Sequence, residues 1–196
     1  MSDWVGNKNS IYKTLGATSH TEEVRQQDDY YATDPAAVDY LLQLATPSRN
    51  IWECACGEGH LSKRLIELGY KVFSTDLIYR GFGMGGVDFL RDFRAWDGDI
   101  LTNPPYKYAK EFCEHSLEIL QPGSRAYMFL KLQFLEGKAR RELFETKQLK
   151  TVYVSSSRIL CAKNGDFNLV QSSAVAYAWY EFEKGYDKDP VIRWIN

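Results

Sequence analysis

The chain has 196 residues, 44% of them hydrophobic and 26% charged, with a formal net charge of −2. That is enough apolar material for one domain with a sizeable core, and the charge balance excludes a uniformly basic nucleic-acid coat while leaving room for a local basic patch. No apolar run is long enough to span a bilayer and no charged-then-apolar leader opens the chain, which points to a cytoplasmic protein with no membrane partner.

Residues 1–29 are polar and weakly patterned, and read as an N-terminal arm that folds over a bound ligand or stays loose. Asp34-Pro35 reads as a helix cap followed by proline in the first turn, with Ala37, Leu41 and Leu44 at helical spacing behind it. Ile51-Trp52-Glu53-Cys54 has the look of a buried strand that runs into a Gly57-Glu58-Gly59 turn. A helix marked by Leu61, Leu65 and Leu68 follows and stops at Gly69. A second strand over 71–75 closes on Asp76 and Leu77, and further strands are predicted at about 85–88, 99–102, 126–132, 151–155 and 173–182. Helices are expected near 59–68, 107–120 and 138–147; Ala109, Phe112, Ser116 and Leu120 form the inner face of the second, which Pro122-Gly123 ends.

The strand over 173–182 alternates small or polar residues with large ones, and its aromatics read as sheet filling: an inserted antiparallel edge strand rather than a platform for bases. The tail 190–195 reads as a short docking extension. Alternation of strand and helix implies an α/β fold with a mostly parallel sheet, helices on both faces and ligands outside the carboxyl ends of the strands. Glu53, Asp76 and Asn103 all fall at such ends.

Asn103-Pro104-Pro105-Tyr106 is the stretch richest in chemistry. Each proline fixes its own φ and pushes the residue before it into extended geometry, so the turn is stiff. The Asn103 side-chain oxygen and the Pro104 carbonyl can then accept both N–H bonds of an amino group on a planar substrate, with Tyr106 stacked on the ring. An arylamine is a poor nucleophile because its lone pair is delocalised. Holding both hydrogens out of the ring plane favours a tetrahedral nitrogen, and the same oxygens stabilise the positive charge that develops. The glycine turn adds a ligand site: glycine suits positive φ and close backbone approach, the helix behind it offers free N–H groups, and an acid at Asp76 suits ribose hydroxyls. A third glycine and a phosphate cradle are missing, which favours a nucleoside without phosphates.

Together these residues resemble the class I S-adenosylmethionine-dependent methyltransferases that act on amino groups, specifically the phage-type adenine-N6 DNA methyltransferases. The resemblance runs from about Tyr30 to the C-terminus, through Tyr30-Tyr31-Ala32-Thr33-Asp34-Pro35, the Glu53 to Gly59 turn, Asp76, Val87-Asp88-Phe89-Leu90 and Asn103 to Tyr106. It implies a Rossmann-like fold whose seven-stranded sheet carries an antiparallel edge hairpin, in one catalytic domain over 30–196. It also implies S-adenosyl-L-methionine as cofactor. Glu53 and the backbone at Cys54, Gly57 and Gly59 would serve its methionine end, with Tyr31 and Thr33 on the carboxylate side. Asp76 and Leu77 would take the ribose region, Asp88 the adenine amino group and Phe89 the adenine ring face, with Asn103 between cofactor and target. Cys54 departs from the proline frequent in the family, which bears on turn rigidity more than chemistry.

Lys131 and Arg158, each at a strand end, are candidates for substrate phosphates, and Phe167 for packing on the target base; Arg140 and Arg141 read equally as phosphate contacts or as a solvated face. Four cysteines at Cys54, Cys56, Cys113 and Cys161 lack the spacing of a zinc site, so no metal is expected and the thiols read as reduced. The partner implied is nucleic acid, most directly DNA in a phage-infected or lysogenic bacterium. RNA amino groups or a protein glutamine amide suit the same tetrapeptide, and a binding module without transfer activity is the reading from another class. No stretch remains for a separate target-recognition domain. Recognition then falls to loops, to a partner subunit or second copy, or is unselective.

Overall fold

The computed structural model describes residues 31–163 and 175–196; the expected arm over 1–29, Tyr30 and Phe167 lie outside them. A seven-stranded sheet forms the centre, built from β2 (Asn50–Glu53), β3 (Lys71–Ser74), β4 (Asp99–Thr102), β5 (Arg125–Lys131), β6 (Leu149–Ser155), β8 (Tyr177–Glu183) and β9 (Val191–Ile195) in the order β3-β2-β4-β5-β8-β6-β9. Beside it β1 (Tyr31–Thr33) and β7 (Cys161–Lys163) form a two-stranded antiparallel ribbon. The β2–β3, β2–β4, β4–β5 and β6–β9 pairs are parallel, whereas β8 runs antiparallel to both neighbours.

Side chains along each strand alternate between two cores, as a pleated sheet covered on both faces requires. Trp52, Ile100, Met128, Leu130, Ala178 and Tyr180 face α3 (Ala109–Ile119) and α4 (Arg141–Glu145). Ile51, Leu101, Tyr127, Phe129 and Trp179 face α1 (Ala36–Leu42) and α2 (His60–Glu67). The predicted inner face of α3 holds: Ala109, Phe112 and Ser116 are buried, with Cys113 and Leu117 beside them. Asp34 opens α1 as expected, its Oδ1 accepting from the Ala36 amide at 2.9 Å. On β8, Trp179, Tyr180 and Phe182 are fully buried and the Trp179 indole donates to the Ala37 carbonyl at 2.9 Å, so these aromatics do fill the core.

Four sequence expectations are corrected. No strand forms over 85–88; Met84 makes one isolated parallel bridge to Thr75, because the glycines of Gly81-Phe82-Gly83-Met84-Gly85-Gly86 curl the chain back over the β2 turn. The antiparallel strand is interior, inserted between β5 and β6, which leaves β3 and β9 as the edges of the main sheet. The tail is not a separate extension but β9, hydrogen-bonded to β6. Cys161–Lys163, where no strand is predicted, pairs with β1.

Candidate active site

The chain builds outward from β2 in both directions, with β3 on one side and β4 on the other, and that divergence sets a crevice at the carboxyl ends of the strands. Across it lie, in sheet order, Asp76 behind β3, the Cys54–Gly59 turn behind β2, Asn103 behind β4, Lys131 closing β5 and Tyr177 opening β8. Because β8 is antiparallel, its first residue stands at the same end as its neighbours' last.

Asn103 is held by its donor end. Its Nδ2 donates to the Tyr31 carbonyl at 3.1 Å and to Thr33 Oγ1 at 2.8 Å. A carbonyl can only accept, so the nitrogen of the amide must face β1 and the oxygen must face away. That oxygen, Asn103 Oδ1, is buried and has no hydrogen-bond partner among the described residues. A buried acceptor left empty costs roughly 1–3 kcal/mol. Tyr31 and Thr33, expected beside the cofactor, are thus the clamps of Asn103, and the β1–β7 ribbon is what positions them.

Tyr106 begins a short 3-10 turn directly after Pro105, whose φ of −59° and ψ of 126° are those of a rigid extended corner. The Tyr106 hydroxyl donates to the Tyr177 hydroxyl at 3.2 Å, and its ring lies 5.9 Å from that of Tyr31. Burial pushes the phenols of Tyr106 and Tyr177 well above their usual range, so both stay neutral. The Lys131 ammonium sits 4.5 Å from the centre of the Tyr106 ring. Cys161, its thiol pushed up to about 11 by burial, lines the same corner. Tyr177 was missed in the sequence because only the position of β8 in the sheet shows which end of that strand meets the site.

On the other side of Asn103, Gly57 at φ +55° turns its amide to donate to Asp76 Oδ2 at 2.8 Å, while Asp76 Oδ1 accepts from the Ile78 amide at 2.9 Å. The carboxylate is therefore fixed, half-buried, at the end of β3. Gly59 at φ +80° opens α2, and a Cβ there would lie 2.2 Å from the Phe82 ring. The glycine thus makes room for the curled loop as well as for the turn. Gly59→Ala should cost about 1–2 kcal/mol of left-handed strain plus the displacement of Phe82. A thermal melt should show the loss, and pairing it with Phe82→Ala should restore the packing share but not the strain.

Glu53 ends β2 fully buried, its Oε2 accepting from Ser62 Oγ on α2, which in turn meets Ser74 Oγ on β3 at 2.6 Å. Burial raises its pKa to about 8, with the nearby Asp76 carboxylate adding to the rise. Cys54 is buried in the core, leaving only its backbone for a ligand. Asp88 accepts from the Leu90 amide at 3.2 Å and keeps a half-exposed carboxylate beside Arg91. Phe89 departs from expectation: its ring is 2% exposed, packed on Trp52 and Phe112 at 5.2 and 4.9 Å, and offers no open face. Leu77, by contrast, is 63% exposed next to Asp76.

Arg140 is also corrected, because its guanidinium donates to the carbonyls of Gln133, Phe134 and Glu136 and so ties down the turn after β5. Arg141 pairs with Glu145, and Arg158 is exposed beyond β6. A cavity of about 400 Å³ lined by Arg125, Lys150, Tyr153 and Glu181 lies at the opposite, amino end of the sheet and holds none of these residues.

No family model matches the chain, and no curated protein sequence does. Solved structures do. A Listeria monocytogenes protein named as a class I S-adenosylmethionine-dependent methyltransferase is similar at a TM-score of 0.56 and 14% identity, over 95% of this chain and 71% of its own. A Pyrococcus horikoshii protein named as an RNA methyltransferase is similar at 0.56 and 14%, over 90% and 98%. A Vibrio vulnificus protein named as the modification subunit of a type I restriction enzyme is similar at 0.61 and 14%, over 93% of this chain and 49% of its own, so this chain spans about half of it. Identity this low speaks for the fold alone: the chain is built on the Rossmann-like class I methyltransferase fold.

Proposed function

We propose that the protein is an S-adenosylmethionine-dependent methyltransferase acting on the exocyclic N6 amino group of adenine in DNA. The observation that carries the reading is the orphaned Asn103 Oδ1: an acceptor whose orientation is locked from behind by Tyr31 and Thr33 and whose lone pairs await a donor. An –NH2 group supplies that donor. The residues also fit the cofactor. The pre-set Asp76 carboxylate suits a ribose, Asp88 an adenine amino group, exposed Leu77 the nucleoside face, and Glu53 with the Gly57–Gly59 backbone the methionine end. Bound there, the cofactor supplies an electrophilic methyl group.

This chain's own residues then act on the target. Asn103 Oδ1 and the Pro104 carbonyl accept the two amine hydrogens, direct the nitrogen lone pair and disperse the positive charge that builds on nitrogen. Tyr106 carries the ring. No general base of unusual pKa is required, because the excess proton leaves an already cationic nitrogen. A base in a duplex must first leave the stack, at a cost of about a few kcal/mol.

The resemblance of the Tyr30–Tyr106 motifs supports DNA over the alternatives, and a phage or prophage setting, a partner subunit or a second copy belong to the same proposal. Tritiated methyl transfer offered side by side to DNA, RNA and protein tests it. Label in DNA at N6-methyladenine is the expected result. Label confined to RNA or protein moves the substrate, and no label anywhere favours the inactive binding module.

A further inference from the structure

Lys131 closes β5 in the strand next to Asn103, and its ammonium lies over the Tyr106 ring rather than on an acid. The neighbouring cations are committed: Arg140 to three backbone carbonyls, Arg141 to Glu145, Lys110 to Glu114 and Glu142. No carboxylate pairs with Lys131 among the described residues. An ammonium is drawn to the negative face of an aromatic ring, and a planar base stacking on that same face would have to take its place. Asn103 Oδ1 is closed off in the same arrangement. A substrate that stacks on this face of Tyr106 has to dislodge the cation.

We propose that Lys131 is a displaceable cover on the Tyr106 face, which leaves the ring for a backbone phosphate of the strand that presents the base. The inference rests on the reading of Asn103 and Tyr106 as the seat of an amine-bearing base, and adds that the substrate must carry phosphate beside it. A nucleic acid exchanges the ring–ammonium contact for a phosphate–ammonium contact. A free nucleoside loses the first contact without gaining the second, so the cover works as a filter for polymer. Lys131 is in this sense a specificity-determining residue.

The test compares wild type, Lys131→Met and Lys131→Arg for binding to adenosine and to a short single-stranded oligonucleotide containing one adenine, over a range of NaCl. For Lys131→Met, oligonucleotide affinity should fall about 5–10-fold at low salt, and the magnitude of its log–log salt slope should drop by about 0.7–0.9. Its adenosine affinity should rise about two- to fivefold, as an occupied ring face becomes free. Lys131→Arg should keep the wild-type slope. An unchanged salt slope in Lys131→Met, or a parallel fall in adenosine and oligonucleotide affinity, overturns the proposal while leaving the Asn103 reading intact. Wild type that binds the oligonucleotide no better than adenosine overturns the cover too, and wild type that labels no nucleic acid at all removes the Asn103 reading beneath it.

Discussion

Asn103→Ala should lower methyl transfer by about 10²–10³-fold, the range found when one pre-organised group facing developing charge is removed. The fold should change little in stability, because two opposing effects meet at this position. The variant loses two donor bonds, to Tyr31 and Thr33, each worth about 1 kcal/mol, but it also removes a buried acceptor that has no partner in the free protein. Asn103→Asp separates orientation from chemistry. It keeps an oxygen in place yet aims a carboxylate at the Tyr31 carbonyl, so the side chain should swing out and transfer should fall as far as in the alanine variant. The measurements are labelled methyl incorporation, a thermal melt, and cofactor affinity by calorimetry. Near-wild-type transfer in Asn103→Ala with cofactor still bound would sink the mechanism.

The second large effect concerns Glu53 and is one of stability. Its carboxyl holds a proton up to about 8 in the folded chain, against 4.5 for the free group. Between those values the native state binds more protons than the unfolded state, so stability falls as pH rises from 4.5 and the loss is complete above about 8. The total is on the order of 5 kcal/mol, since each tenfold difference in proton affinity between the folded and unfolded chain is worth about 1.4 kcal/mol. Glu53→Gln keeps an acceptor for Ser62 and cannot ionise. It should therefore match the wild type near pH 4.5 and exceed it increasingly towards pH 9, the comparison being urea unfolding of both proteins across that range. Parallel pH profiles for the two would show that the Glu53 site is open to water.

The sheet, both helical faces and the positions of Glu53, Asp76 and Asn103 were legible because they rest on local signals: apolar period, a glycine turn and a proline corner. The order of strands was not, and that order decides the site. Nothing in 173–182 indicates that β8 enters between β5 and β6, so Tyr177 could not be placed beside Tyr106. The β1–β7 ribbon pairs residues about 130 apart, and the amide clamp on Asn103 depends on it. Phe89 shows the converse limit. Its motif suggests a ring for stacking, yet Trp52, Phe112 and His115 surround it, and an aromatic beside a cofactor motif can equally belong to the wall behind.

The place of β8 also bears on how the chain is made. Synthesis delivers β5 and β6 first, and neither meets the strand that joins them until residues 177–183 have emerged, so the two wait with open edges and bare aromatic flanks. Long-range closure of this kind is slow. A ribosome stalled before Tyr177 would display a sticky half-sheet, and the chaperone demand of this protein should peak between the emergence of β6 and that of β8.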